Sequence, residues 1–292
     1  LEKYLICSDL DGTLLLKNQT ISPKTLNLLQ QLIEEGHHFA VSTGRMYNSA
    51  TDFAKLVHPK ADVIASNGGV VAVSGEIIQQ EKMKQSALLE TFLLCQNHDL
   101  PVFFFSTDTV FYTKNPPYYF TDEEDKGRVN ATKLVAIKSR EIFLEHADQF
   151  INGIVIEEED FDKLAVLRSD LEKLSDVSIL SSHANNIEIL PKDMDKKYAV
   201  KNLAAHLNIK PENVITFGDG ENDIGMLEVA GAGVAMENAS ELVKKSADFV
   251  TTANDADGIY YFLKNILIVN KKAAHVDSFF SFILLLKQLL HS

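Results

Sequence analysis

Four short apolar runs, each halted by a cluster of small and polar or charged residues, constrain this chain more than any other feature. They are Tyr4-Leu5-Ile6-Cys7 before Ser8-Asp9, Phe39-Ala40-Val41-Ser42 before Thr43-Gly44-Arg45, Val63-Ile64-Ala65 before Ser66-Asn67-Gly68-Gly69, and Val214-Ile215-Thr216-Phe217 before Gly218-Asp219-Gly220. Runs this short and this apolar are how strands covered on both faces of a parallel sheet read in sequence. A helical pattern separates the first two: Ser22-Pro23 opens it, Leu26, Leu29 and Ile33 share a face, and Gly36 closes it. Further strand candidates follow at Gly233 to Met236 and Asp248 to Val250. The pattern predicts an α/β fold, a parallel sheet with flanking helices. In such sheets ligands bind beyond the carboxyl ends of the strands, where these polar clusters fall.

With 292 residues, and roughly 150 per domain, the chain has room for about two domains. From about Met83 to Asn186 its character changes. There is a break at Asn115-Pro116-Pro117, an acidic run from Asp122 to Asp125, and strand-like pieces at Pro101 to Phe105 and Lys133 to Ile137. We read 83–186 as an α+β unit inserted between 1–82 and 187–267. The acidic run reads as a solvated face. The tail, 268–292, carries the apolar stretch Phe279 to Leu286; it is expected to pack on the core as a terminal helix, with self-association or a membrane surface as the alternatives.

Charge narrows the partners. Lysine and arginine number 28 against 41 aspartates and glutamates, a formal net charge of −13, which repels a nucleic-acid backbone. An acidic protein that handles an anionic substrate needs a local cation, most simply a metal. Cys7 and Cys95 are too few and too far apart for a disulfide framework or a thiolate zinc site. The first residues lack the pattern of a secretory signal, and no segment reaches the roughly 18 uninterrupted apolar residues of a membrane span. A cytoplasmic protein, monomer or homodimer, is expected.

The chemistry concentrates in Asp9-Leu10-Asp11-Gly12-Thr13. Two carboxylates two residues apart at a strand end can face one cleft, one as nucleophile and one as proton carrier, while Gly12 allows backbone amides to approach an anion. Read alone, such a motif is more readily a pair of turn or capping aspartates. Its company changes the reading: Thr43-Gly44-Arg45 offers a hydroxyl, an open amide and a guanidinium for phosphate oxygens. Gly218-Asp219-Gly220-Glu221-Asn222-Asp223 adds two hard oxygen donors of the kind Mg²⁺ prefers, and an amide.

In this order these pieces resemble the haloacid dehalogenase superfamily, and within it the Cof-like phosphatases with a type-B C2 cap. Ser66 to Gly69, Gly233 to Ala239 and Thr251 to Gly258 strengthen the resemblance, which runs to about Leu267. It implies a Rossmann-like core with an inserted cap domain that selects the leaving group. It further implies Asp9 as nucleophile and Asp11 as general acid and base, with Mg²⁺ held by Asp9, the Asp11 backbone carbonyl and Asp219, and Asp223 assisting. Leu10, Thr43, Gly44 and Asn222 would contact the phosphoryl group, with Arg45 and Asn67 near the substrate. The family's lysine after the returning strand Ile187 to Pro191 matches Lys196, but glycines usual in the family are replaced by Asp193 and Lys197, so Lys192 and Lys197 stand beside it as alternatives. Glu237 likewise stands where the family often has glycine.

The function so implied is Mg²⁺-dependent hydrolysis of a small phosphate monoester, a sugar phosphate or a cofactor phosphate, through an aspartyl-phosphate. A phosphomutase using the same chemistry is the alternative, and a non-catalytic phosphate-binding regulator a third. His183, Asn185 and Asn186, before the returning strand, are candidate contributors to specificity but read more readily as loop residues.

Overall fold

The computed structural model describes residues 2–115, 132–181, 184–192 and 194–272; the acidic run at 122–125, His183, Asp193 and the apolar stretch at 279–286 lie outside them. Two sheets organise the described chain. The first has eight strands in the order β14-β13-β12-β1-β2-β3-β4-β5. Its centre is β1 (Leu5–Ser8), between β12 (Val214–Gly218) and β2 (His38–Ser42), with β3 (Asp62–Ala65), β13 (Ala232–Met236) and β14 (Phe249–Thr251) extending the parallel part. All four apolar runs are therefore strands of one sheet.

Alternation explains why they read as nearly continuous. On one face Ile6, Phe39, Val41, Ile215 and Phe217 meet Leu29, Leu32 and Ile33 of α1 (Pro23–Glu34), Phe53 of α2 (Tyr47–Val57) and Ile259 and Leu263 of α9 (Gly258–Lys272). On the other, Leu5, Cys7, Ala40 and Ile64 meet Ala199, Val200 and Leu203 of α6 (Lys196–His206) and Met226 of α7 (Ile224–Val229). Burial pushes the thiol of Cys7 far up, so it is inert core. Gly36 ends α1 with φ +96°, as expected. Ser22 stands at the start of that helix without capping it, because its hydroxyl bonds Asp257 instead.

One part of this sheet was not foreseen. After β3 the chain doubles back as an antiparallel hairpin, β4 (Val70–Val73) and β5 (Glu76–Gln80), turning on Ser74 and Gly75 with both φ positive. That two-residue turn matches the twist of its strands.

The second sheet has the order β10-β11-β9-β6-β7-β8. Its strands are β6 (Val102–Phe105), β7 (Thr109–Tyr112), β8 (Lys133–Ala136), β9 (Asn152–Ile156), β10 (Val177–Leu180) and β11 (Asn186–Pro191). Helices α3 (Gln85–Asn97), α4 (Arg140–His146) and α5 (Phe161–Leu171) cover one face. There Phe92 and Phe143 stack with ring centroids 4.4 Å apart, and Phe104 and Phe150 with centroids 4.9 Å apart. The returning strand, expected to begin the second part of the core, instead lies inside this sheet between β9 and β10. The reason is packing: Ile187 and Ile189 bury themselves among the aromatic residues beneath α3 and α5.

The opposite face of this sheet looks toward the first. Met46, at the start of α2, packs on Phe103, Phe105 and Val110, and the Asn48 amide donates to the Thr107 carbonyl at 3.0 Å. The aromatic stack is expected to hold the inserted unit together. Phe143→Ala should cost about 3–5 kcal/mol, read as a lower denaturant midpoint; a loss below about 1 kcal/mol would show that other contacts carry the unit.

Candidate active site

Three strand ends and one helix start converge. Asp9 follows β1, Thr43 and Gly44 follow β2, Asp219 to Asp223 follow β12, and Lys196 is the first residue of α6. Asp195 caps that helix by accepting from the Tyr198 amide at 2.8 Å, which fixes where the helix begins and turns Lys196 inward. Lys196 is 1% exposed, and its Nζ donates to Asp9 Oδ1 at 2.7 Å and to Asp223 Oδ1 at 2.6 Å. Lys197 points elsewhere, 3.9 Å from Glu228, and Lys192 is exposed. The sequence left these three lysines open; only Lys196 meets the carboxylates.

Around this ammonium the acids are held from behind. Asp223 Oδ2 accepts from the amides of Asp219 and Gly220 at 3.0 and 2.9 Å, so both its oxygens are engaged. Asp219 Oδ1 accepts from Thr13 at 2.7 Å, and Oδ2 from Asn238 at 3.3 Å. Asn238 also donates to the Gly12 carbonyl at 2.9 Å. Gly12 itself has φ +81°, and a β-carbon there would collide with the Asp219 carboxylate, so both conformation and space demand glycine.

Ligand atoms of Asp9, Asp219 and Asp223 all lie within 4.8 Å of one another. Three carboxylates against one ammonium leave excess negative charge in a site where Asp9 and Asp223 are buried and Asp219 partly so, and Asp9 and Asp219 respond. Burial pushes the Asp9 carboxyl up to about 8; Lys196 opposes that rise and Asp223 adds to it. Asp219 is also raised, chiefly by burial. Burial would lower Lys196, but Asp223 and Asp9 outweigh it and hold the ammonium above its usual value. A cluster of hard oxygens that costs this much to ionise fits a small divalent cation.

Asp11 stands apart from the cluster. Its half-exposed carboxylate is gripped by Arg45, Nε to Oδ2 at 2.8 Å and Nη2 to Oδ1 at 2.5 Å. Arg45 also donates to Gln19 and lies 4.7 Å from the centroid of Phe53. Opposite, Thr43 Oγ1 accepts the Arg45 amide at 3.1 Å, which leaves its proton to donate. Asn222 Nδ2 donates to Asn67 Oδ1 at 3.0 Å. Asn67 is buried in a left-handed conformation, φ +53°, and an added β-carbon on Gly44 would lie 3.2 Å from its Oδ1.

Residues 6–263 match the haloacid dehalogenase-like hydrolases. The chain belongs to this family. Among relatives in Bacillus subtilis, phosphatase YwpJ is 31% identical over 286 residues, covering 90% of this chain and 99% of that protein. The 5-amino-6-(5-phospho-D-ribitylamino)uracil phosphatase YitU is 29% identical over 265 residues, covering 89% and 96%. A solved haloacid dehalogenase-like hydrolase from B. subtilis superposes with a TM-score of 0.75 at 29% identity, covering 89% of this chain and 99% of that one. With these matches the haloacid dehalogenase-like chain is a phosphatase whose core sheet carries an inserted second unit. Among the described residues no helix is long and apolar enough to cross a membrane.

Three contributors escaped the sequence reading: Thr13 and Asn238, which brace Asp219, and Glu188, whose Oε2 accepts from Asn67 Nδ2 at 2.9 Å. Thr13 closes the Asp9 motif and Asn238 follows β13, so position beside a strand end was the available signal. Glu188 gave none, being one polar residue inside an apolar strand.

The raised Asp9 value has a measurable consequence. An unfolded aspartate titrates near about 4, so in EDTA the contribution of Asp9 to stability is fully present below that pH and is lost as pH rises through about 8. Stability in EDTA should fall across this window, and Asp9→Asn should flatten the fall. Melting curves at several pH values check this; parallel slopes for the two proteins would contradict it.

Proposed function

We propose that this chain is a Mg²⁺-dependent phosphomonoesterase in which Asp9 attacks phosphorus and carries the phosphoryl group as an aspartyl-phosphate. The observation that supports it most is Asp9 at a strand end, hydrogen-bonded to a buried lysine and grouped with Asp219 and Asp223. Mg²⁺, held by Asp9, Asp219 and the Asp11 backbone carbonyl with Asp223 in support, would supply positive charge against the phosphate dianion.

The chain's own residues do the rest. Lys196 offsets the repulsion between the Asp9 carboxylate and the dianion and orients Oδ1 for attack. Neither the Leu10 nor the Gly44 amide donates to another described residue, so both are free for phosphoryl oxygens, with the Thr43 hydroxyl and the Asn222 amide beside them. As the Asp9 oxygen bonds phosphorus and the ester oxygen departs, Asp11 gives that oxygen its proton. In the second step Asp11 takes a proton from water, which attacks phosphorus and frees Asp9 and phosphate. Arg45 holds the Asp11 carboxylate by both oxygens, and its grip must loosen when Asp11 is protonated.

The inserted unit, taken as residues 83–191, covers the cleft and chooses the leaving group. Sugar phosphates and cofactor or precursor phosphates are the proposed substrates. The ester named in the YitU relative, a phosphoribitylamino-uracil, heads the panel.

Phosphate release from that panel in Mg²⁺ should reveal one or a few good substrates, with EDTA and Asp9→Asn each removing activity. Lys196→Ala should lower kcat/KM at least about 100-fold. A folded protein that binds Mg²⁺ and releases phosphate from none of the esters, or an Asp9→Asn variant that keeps its activity, would overturn the proposal.

A further inference from the structure

Glu188 is the one charged residue of β11 and is partly buried there. Pairing across the second sheet puts Tyr112, Phe103, Ile154 and Glu188 in one row over β7, β6, β9 and β11. Directly opposed residues of an antiparallel pair share a face. That face is the one on which Met46 packs, so the row looks toward the first sheet and its strand ends. Strand alternation gives this face apolar or neutral side chains throughout, and Glu188 is the only charged one among its strand residues. Partly open to solvent on that face, the carboxylate can meet a ligand in the cleft.

Its one hydrogen bond among the described residues says where it acts. Oε2 takes the Asn67 amide at 2.9 Å, while Asn67 Oδ1 takes the Asn222 amide at 3.0 Å and lies against Gly44. A carboxylate of the inserted unit thus stands one amide away from two groups proposed to hold phosphoryl oxygens. Because a carboxylate only accepts, it fixes the direction of the whole chain: Asn67 must turn its NH₂ to Glu188 and its carbonyl to Asn222. Oε1 has no protein partner among the described residues.

We propose that Glu188 is a specificity-determining residue that reads the leaving group next to the ester. Oε1 accepts a hydrogen bond from a hydroxyl or amino group there, and the charge repels any leaving group with a second anion. The favoured substrates are phosphomonoesters of neutral, hydroxylated or aminated leaving groups; sugar bisphosphates and phosphorylated acids are disfavoured. The inference rests on the phosphatase reading above and adds to it the charge of the substrate. It also runs against a phosphomutase, whose bisphosphate intermediate Glu188 would repel.

The test compares kcat/KM for glucose 6-phosphate and glucose 1,6-bisphosphate in the wild-type protein, Glu188→Gln and Glu188→Asp. The monophosphate should be preferred. Glu188→Gln, which keeps size and loses charge, should shrink that preference about tenfold or more, chiefly through a better bisphosphate. Glu188→Asp, which keeps the charge, should retain most of it. A preference within about twofold of wild type in Glu188→Gln, or an equal loss for both esters in both variants, would overturn the proposal, the second result marking a packing role. If wild type hydrolyses neither ester, the phosphatase reading fails on these substrates and the same ratio is read by calorimetry as binding to Asp9→Asn with and without Glu188→Gln. The same tenfold change is then required, and no binding of either ester overturns the proposal as well.

Discussion

The ammonium of Lys196, buried between Asp9 and Asp223, is the interaction on which this structure turns. It ties together segments 187 and 27 residues distant in sequence, the end of β1, the turn after β12 and the start of α6. Such a group contributes little to stability by itself, since desolvating three charges offsets much of their attraction. Its value lies in geometry. Removing the lysine would leave two buried carboxylates facing each other, and moving it by one residue would place its charge about 100° around the helix. The neighbouring Lys197 shows the result: it reaches Glu228 on the surface and contributes nothing to the cluster.

Around that contact the fold supplies directions more than energy. Parallel strands bring Asp9, Thr43 and Asp219 to one edge of a sheet, and amides at the turn after β12 clamp Asp223 so that it faces the lysine. The second, mixed sheet turns toward that edge a face whose described strand residues are uncharged except for Glu188. Anionic chemistry below and a neutral ceiling above make a cleft in which one added carboxylate carries information, as proposed for Glu188.

Much of this was legible in the sequence because it depends on local pattern. Apolar runs ending in Ser8-Asp9, Thr43-Gly44 and Gly218-Asp219 announce both the strands and the edge where they end, and all of these are where the pattern put them. What failed to read depends on partners distant in sequence. The apolar residues of β11 suit either sheet, and only their burial under α3 and α5 assigns the strand to the second. The grip of Arg45 on Asp11, and of Glu188 on Asn67, joins side chains 34 and 121 residues apart, and neither leaves a periodic trace. The β4–β5 hairpin was readable in principle from Ser74-Gly75, but the polar cluster before it drew attention to the strand end instead.

The central claim is covalent: the phosphoryl group passes through Asp9. Rapid acid quenching during the first turnover of a good substrate, followed by peptide mass mapping, examines this directly. The account predicts one phosphoryl group on the peptide that contains Asp9, formed before free phosphate and lost as phosphate appears. Phosphate released in the first turnover with no phosphorylated peptide at any time, or with the phosphoryl group on another residue, would contradict it.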